Sequence, residues 1–200
     1  MSDHKIEIFW DVGSPYTHLA IGQLEAMQKR SGLPVELRPF LIGGVFKSTG
    51  NSAPGILPAK AKYMMHDLMR WRNHLNLELK LPTEGTPFPI NSLKPMRVAM
   101  LCQTRGQGET FCRALFAAYW GRGEDVSNPE VLTKVIESVE LDPTEIIEAA
   151  GSDDNKAALR ANTDEAVARG AFGAPSLFVG DQLFWGNDRI NLMLEHIKTL

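Results

Sequence analysis

Ser14, Pro15, Tyr16 and Thr17 stand together where a strand-like run gives way to helical spacing, and each residue type matters there. Pro15 suits the first position of a helix, because its ring presets φ and the N–H it lacks has no intrahelical partner there. Ser14 then falls at the N-cap. A helix start carries about half a positive charge and unsatisfied N–H groups, so it stabilises an anion such as a thiolate. Ser14 adds a hydroxyl donor and brings no sulfur of its own. Ser-Pro is also a common helix opening with no chemistry attached. A nucleophilic serine would need a nearby base with an orienting acid. His18 lies one turn on, but the helix directs it away from the cap, and no Gly-x-Ser-x-Gly elbow exists. The better reading makes Ser14 a hydrogen-bond donor to a sulfur anion that arrives with a ligand.

The only cysteines, Cys102 and Cys112, lie in helical-looking sequence. They form no Cys-x-x-Cys pair, no disulfide framework and no zinc ligand set, so they read as small buried hydrophobes. Redox chemistry by protein thiols, metal-assisted hydrolysis and secretion lose their support. The 200 residues are 44% apolar and 22% charged, an ordinary soluble globular composition that would bury roughly 70% of its unfolded surface. With 21 basic against 24 acidic residues the net charge is −3, which argues against a nucleic-acid partner. No apolar stretch approaches the roughly 18 to 20 residues of a membrane span. The N-terminus lacks a targeting pattern, so the mature chain is expected to begin near Met1 and to be cytoplasmic.

The elements that must position Ser14 follow from periodicity. Lys5–Trp10 reads as a strand and 14–31 as a helix closed by Gly32. Val35 and Leu37 then alternate with Glu36 and Arg38, a second strand parallel to the first across a right-handed crossover. At the other end, 176–179 and 182–185 flank Gly180-Asp181, which suits a type II′ hairpin turn. Gly186-Asn187-Asp188 caps a terminal helix containing Ile190, Leu192, Met193, Ile197 and Leu200. Between the ends the spacing predicts helices over 60–75, 96–105, 109–120, 129–139, 143–150 and 154–169, with a Pro-rich loop from Leu77 to Leu93.

Joined, the βαβ and ββα halves make a thioredoxin-like α/β fold with a large all-helical insertion. Residues 1–44 and 169–200 form the discontinuous thioredoxin-like domain, and 45–168 the inserted helical domain. The start of the first helix lies at the carboxyl end of the sheet, where open α/β sheets bind ligands. Thioredoxin-like redox proteins carry Cys-x-x-Cys there; this chain has Ser14 and Thr17, and neither can form a disulfide. In such folds the proline before the third strand is cis and faces the helix start. Its preceding residue pairs with a bound peptide as an added strand. Pro175, preceded by Ala174, occupies that place, although proline at a strand start needs no further reason.

Three motifs then carry a resemblance: Trp10-Asp11-Val12-Gly13-Ser14-Pro15-Tyr16, Phe172-Gly173-Ala174-Pro175-Ser176 and Phe184-Trp185-Gly186-Asn187-Asp188-Arg189. In this order and spacing the chain resembles the 2-hydroxychromene-2-carboxylate isomerases, which belong with the kappa-class glutathione transferases in the DsbA-like branch. The resemblance implies glutathione as cofactor, with Ser14 holding its thiolate and Pro15 and Tyr16 alongside. It implies that Asn51 contacts glutathione, that Ala174 before Pro175 pairs with the cysteinyl part, and that Asn187 and Asp188 hold the γ-glutamyl end. Asp188 could receive the ammonium while helix N–H groups receive the carboxylate. Lys60, Lys62 and Arg97 fall where the family has basic residues that would meet an acidic substrate, although solvated helix faces suit both lysines.

The implied reaction interconverts 2-hydroxychromene-2-carboxylate and trans-o-hydroxybenzylidenepyruvate in aromatic catabolism. The implied partner is a small aromatic carboxylate or another electrophile, and the implied assembly a homodimer. Two alternatives stay open. One is a kappa-class-like transferase that leaves glutathione on an electrophile; the other is a non-catalytic DsbA-like binding protein.

Overall fold

The computed structural model describes residues 4–82 and 86–200. The central sheet has strand order β2-β1-β3-β4, with β1 at Ile6–Trp10, β2 at Val35–Pro39, β3 at Ser176–Val179 and β4 at Gln182–Trp185. β1 runs parallel to β2 and antiparallel to β3, with Ile8 opposite Leu37 on one side and Leu177 on the other. In the β3–β4 turn Gly180 takes φ +56 while Asp181 keeps a negative φ, as a type II′ turn requires. The sheet has the strand order and pairing of a thioredoxin-like fold, as the strand and helix spacing predicts.

β1 is buried along its whole length because helices cover both faces of the sheet. Ile6, Ile8 and Trp10 point to one face, where they join a core with Met96, Val98, Phe111 and Leu115. Those four come from α5 (Leu93–Thr104) and α6 (Gly108–Phe116), so the intervening helices share a core with the sheet. Phe9 points to the other face, against Phe40, Val45, Ala166 and Phe178. Alternation along a strand with period two explains this division.

Several elements differ from the spacing. The expected helix over 14–31 is two helices, α1 (Pro15–Ile21) and α2 (Leu24–Ser31). Gly22 breaks it: a Cβ there would sit 2.9 Å from Leu77, and the Gln23 side chain bonds back to the Leu19 carbonyl. An unexpected helix, α3 (Ile42–Thr49), spans the 44/45 boundary drawn from sequence. Its two glycines lower helix propensity, and its first N–H groups are met from far away. Ile42 N–H donates to Asp11 and Leu41 N–H to Thr163 Oγ1. A single 3-10 turn at Pro54–Ile56 leads into α4 (Pro58–Leu75). After α6 the chain winds as a π-helical turn over Ala117–Arg122, where the spacing predicts a continued α-helix. α7 (Pro129–Glu137), α8 (Pro143–Ala150) and α9 (Asp153–Ala168) lie close to expectation. A 3-10 turn at Asn187–Arg189 precedes α10, Ile190–Ile197. Of the expected 77–93 loop, residues 83–85 lie outside the described residues, as does the expected start at Met1. No helix among the described residues is long and apolar enough to cross a membrane.

On the Phe9 face, Glu7 is 7% exposed between two guanidinium groups. Arg38 donates to Glu7 Oε1 at 2.7 Å and Arg169 to Oε2 at 2.9 Å, while Arg38 also reaches Glu165. Arg169 covers the Phe178 ring at 4.1 Å, and Arg38 covers Phe9 at 4.9 Å. Burial pushes the Glu7 carboxyl up, but the hydrogen bond and charge of Arg169, with the charges of Lys5 and Arg38, bring it below its ordinary value of 4.5. A lowered carboxylate stabilises the fold above its unfolded pKa, and that contribution fades as pH falls through the folded value. Glu7→Gln is therefore expected to lose about 2 kcal/mol in urea unfolding at neutral pH, since it removes charge-assisted hydrogen bonds while Glu165 still pairs both guanidinium groups. The gap to the wild type should close below pH 4.5; a gap that is constant with pH would contradict this account.

Candidate active site

Ser14 is the N-cap of α1, with extended backbone at φ −98 and ψ 116, and its Oγ accepts the Thr17 N–H at 3.2 Å. The same hydroxyl donates to the Ala174 carbonyl at 2.9 Å. The Ala174–Pro175 peptide bond is cis. Two motifs 160 residues apart thus meet through one hydrogen bond. Ser14 is 5% exposed, so a ligand atom taking its proton must displace the Ala174 carbonyl from it.

Asn51 joins the same place from the opposite side. Its Nδ2 donates to the Phe172 carbonyl at 2.7 Å, and its Oδ1 accepts the Ser52 N–H at 2.8 Å. The Asn187–Arg189 turn packs on α1. There Asn187 is 3% exposed, and its buried Nδ2 meets no acceptor among the described residues. Asp188 is exposed and pairs with Arg189 at 2.6 Å, a surface contact worth little. Gly186 before them holds φ +99, and a Cβ there would stand 2.6 Å from Asp188 Oδ1, so only glycine lets the turn close.

Tyr16 points the other way along α1, toward α4. Its hydroxyl donates to Asp67 Oδ2 at 3.4 Å, and Tyr63 approaches the other carboxylate oxygen at 3.5 Å. Burial first, then the Asp67 charge and hydrogen bond, push the Tyr16 phenol far above its ordinary range, with the charge of Asp188 adding to the effect. The phenol therefore stays protonated. Two cavities flank this helix start and share Met64. One, about 330 Å³, is lined by Tyr16, Pro54, Lys60 and Tyr63. The other, about 300 Å³, opens over Pro15.

Of the three expected cations, Lys60 lines one of these two cavities. Lys62 is exposed on α4 outside both cavities. Arg97 lies on α5, where Asn155 of α9 bonds its carbonyl, and lines neither cavity. His18 is buried, stacks on Phe116 at 5.9 Å and bonds the Glu78 carbonyl through Nε2 at 2.8 Å. Burial lowers its pKa and keeps the ring neutral, and its bond goes to Glu78 while the Ser14 hydroxyl bonds Ala174, so it is a core group rather than a partner of Ser14. Cys102 and Cys112 are buried, with burial pushing the Cys102 thiol up to about 12 and Cys112 well above its usual range.

Two residues that position the site gave no periodic signal. Asp11 is fully buried, and its carboxylate accepts the Gly13 N–H at 2.8 Å, the Ile42 N–H at 2.9 Å and the Ser92 hydroxyl at 2.9 Å. It ties the Ser14 turn to the starts of α3 and α5. Burial raises its pKa despite those three bonds. A polar residue closing an apolar strand is the one hint the sequence offers. Trp120, in the π-helical turn, donates its indole N–H to the Val12 carbonyl at 2.7 Å and presents its ring to the cavity over Pro15. Local winding of this kind is frequent at functional sites, but the spacing reads straight through it.

The fold and this helix end define a thioredoxin-type protein with serine, not cysteine, at the start of its first helix. The family model for the DSBA-like thioredoxin domain matches residues 5–198, and the chain belongs to that family. It is 32% identical to a 2-hydroxychromene-2-carboxylate isomerase of Sphingobium xenophagum over 96% of this chain and 97% of that one. It is 30% identical to glutathione S-transferase kappa 1 of Homo sapiens over 94% of this chain and 88% of that one. A solved 2-hydroxychromene-2-carboxylate isomerase superposes with a TM-score of 0.87 at 23% identity, covering 97% of this chain and 94% of the other, which shows the shared fold.

Replacing Asp11 with Asn puts an N–H₂ donor among groups that are themselves donors. Asp11→Asn is expected to cost about 2 to 3 kcal/mol in urea unfolding through the unpaired buried donors. A stability within about 0.5 kcal/mol of wild type, the typical range for a surface substitution, would show that Asp11 braces nothing.

Proposed function

We propose that this chain is a glutathione-dependent isomerase of the 2-hydroxychromene-2-carboxylate isomerase type. The observation that carries it is the Ser14–Ala174 hydrogen bond, which joins a helix start to a cis-proline segment where no cysteine stands. The tripeptide fits the residues assembled there. Asn187 offers a buried amide donor with no protein acceptor among the described residues, which suits a ligand carboxylate. Asp188, held only by an exposed pair with Arg189, is free to exchange that partner for a ligand ammonium. Ala174 offers strand-like backbone to the cysteinyl portion, and Asn51 steadies the 172–174 segment from outside.

Ser14 turns its proton from the Ala174 carbonyl to the ligand sulfur, while the first turn of α1 adds partial positive charge. Both favour the thiolate over the thiol. When bound, glutathione supplies a nucleophile that adds to an activated carbon–carbon double bond and departs after the bond has rotated. The Tyr16 phenol, kept protonated beside Asp67, holds a proton at the mouth of the neighbouring cavity. Lys60 in that cavity is placed to receive a substrate carboxylate. The relatives at 30% identity and above include both an isomerase and a kappa-class transferase, which supports the chemistry of addition more than its outcome.

Calorimetry with glutathione should give saturable binding, and thiolate absorbance of the bound ligand should appear at lower pH than for free glutathione. Ser14→Ala should keep binding and lose turnover by about 10², as loss of one oxyanion-type donor does. Mass analysis of products should find no conjugate; accumulation of conjugate would make the enzyme a transferase. No heat with millimolar glutathione would leave a non-catalytic DsbA-like protein.

A further inference from the structure

The Ser14 hydroxyl has one proton, and that proton is already committed. A hydroxyl donates once and accepts through its lone pairs. The Thr17 N–H takes a lone pair at 3.2 Å, and the proton goes to the Ala174 carbonyl at 2.9 Å. A ligand sulfur can therefore gain the proton only if the carbonyl gives it up. Ser14 is 5% exposed and Ala174 8%, so water is a poor substitute there. Among the described residues no other donor reaches this carbonyl. Left without a partner, a desolvated acceptor costs about as much as one new hydrogen bond gains.

The Ala174 backbone points to what must replace the serine. Its N–H meets no acceptor among the described residues, and the cis bond to Pro175 follows directly. A residue that offers both an N–H and a C=O can pair with an extended peptide, which exchanges two hydrogen bonds with it. The peptide's own N–H then lands on the carbonyl that Ser14 leaves. A thiol carried on a peptide residue brings the sulfur and the replacement donor in one molecule. A simple alkyl thiol brings only the sulfur.

We propose that the cysteinyl amide N–H of the ligand displaces the Ser14 hydroxyl from the Ala174 carbonyl, so that the serine stabilises the bound thiolate only when that amide is present. This rests on the reading of Ser14 as the glutathione sulfur site. The thiol proton leaves to solvent, while Ser14 keeps its own and turns it from oxygen to sulfur. No covalent bond of the protein is made or broken. Selectivity for peptide thiols is thereby placed in the ionisation step as well as in affinity. The resting hydrogen bond keeps the donor from thiols that lack the amide, although the helix start attracts any anion.

Glutathione and its depsipeptide analogue, with an ester oxygen in place of the cysteinyl amide nitrogen, test this on the full-length protein. Thiolate absorbance against pH is read at saturating ligand, as the shift from each free ligand. The shift should be larger for glutathione by about one pH unit, the size of one hydrogen bond to a charged group. In Ser14→Ala the two shifts should become equal, because no hydroxyl remains to be released. The ionisable groups nearby, Asp11, Tyr16, Tyr63, Lys60, Asp67 and Asp188, are the same for both ligands and cancel in the comparison. Equal shifts in the wild type overturn the proposal, as does a difference that persists in Ser14→Ala. So does an ester analogue that binds neither protein at millimolar concentration, since the amide would then be an anchor and not a trigger. Absence of calorimetric heat with glutathione itself removes the Ser14 reading and this proposal with it. That result is distinct from glutathione that binds and ionises no further than the ester.

Discussion

The buried carboxylate of Asp11 is the constraint on which the site depends. Taking a charge or even a neutral acid out of water is unfavourable unless hydrogen bonds replace the lost solvent. Asp11 gains three, from Gly13, Ile42 and Ser92, and each comes from a different part of the chain. The turn leading to Ser14, the start of α3 and the residue before α5 can satisfy it only together. The Ser14 hydroxyl therefore meets Ala174 in a geometry set by groups that never touch a ligand.

A second layer of restraint comes through Val12. Its N–H lies 3.4 Å from Met96 Sδ, and its carbonyl accepts the Trp120 indole. The Ser14 turn is thus gripped on one side by helix α5 and on the other by the π-helical turn. Trp120 also forms a wall of the cavity over Pro15. On the opposite face of the sheet, Arg38 and Arg169 clasp Glu7 over Phe9 and Phe178. That cluster pairs its charges among themselves on the Phe9 face of the sheet.

The thioredoxin-like frame was legible because local patterning reports it. Five residues of strand propensity precede a helix opening, and Gly180-Asp181 sits between two short strands. The helix α3 was not legible. Gly43 and Gly44 weaken its propensity, and its cap is a carboxylate thirty-one positions earlier. The break at Gly22 was equally hidden, because its reason is Leu77 packing where a Cβ would stand. Lys60, Lys62 and Arg97 were indistinguishable as cations in sequence, and only the fold separates the one at a cavity wall from the two that are elsewhere.

By itself the sequence determined the chemical types at the helix start. It showed a hydroxyl at the cap, proline behind it, threonine where a second sulfur would be needed, and no reactive cysteine. These are local facts, since capping and φ preferences act within one turn. Tertiary structure alone decided which distant carbonyl that hydroxyl meets and which of the three cations lines a cavity beside Tyr16. Those outcomes depend on where backbone carbonyls such as those of Ala174, Val12 and Gly123 come to rest. Every residue carries such a carbonyl, so residue identity cannot mark the ones that will accept.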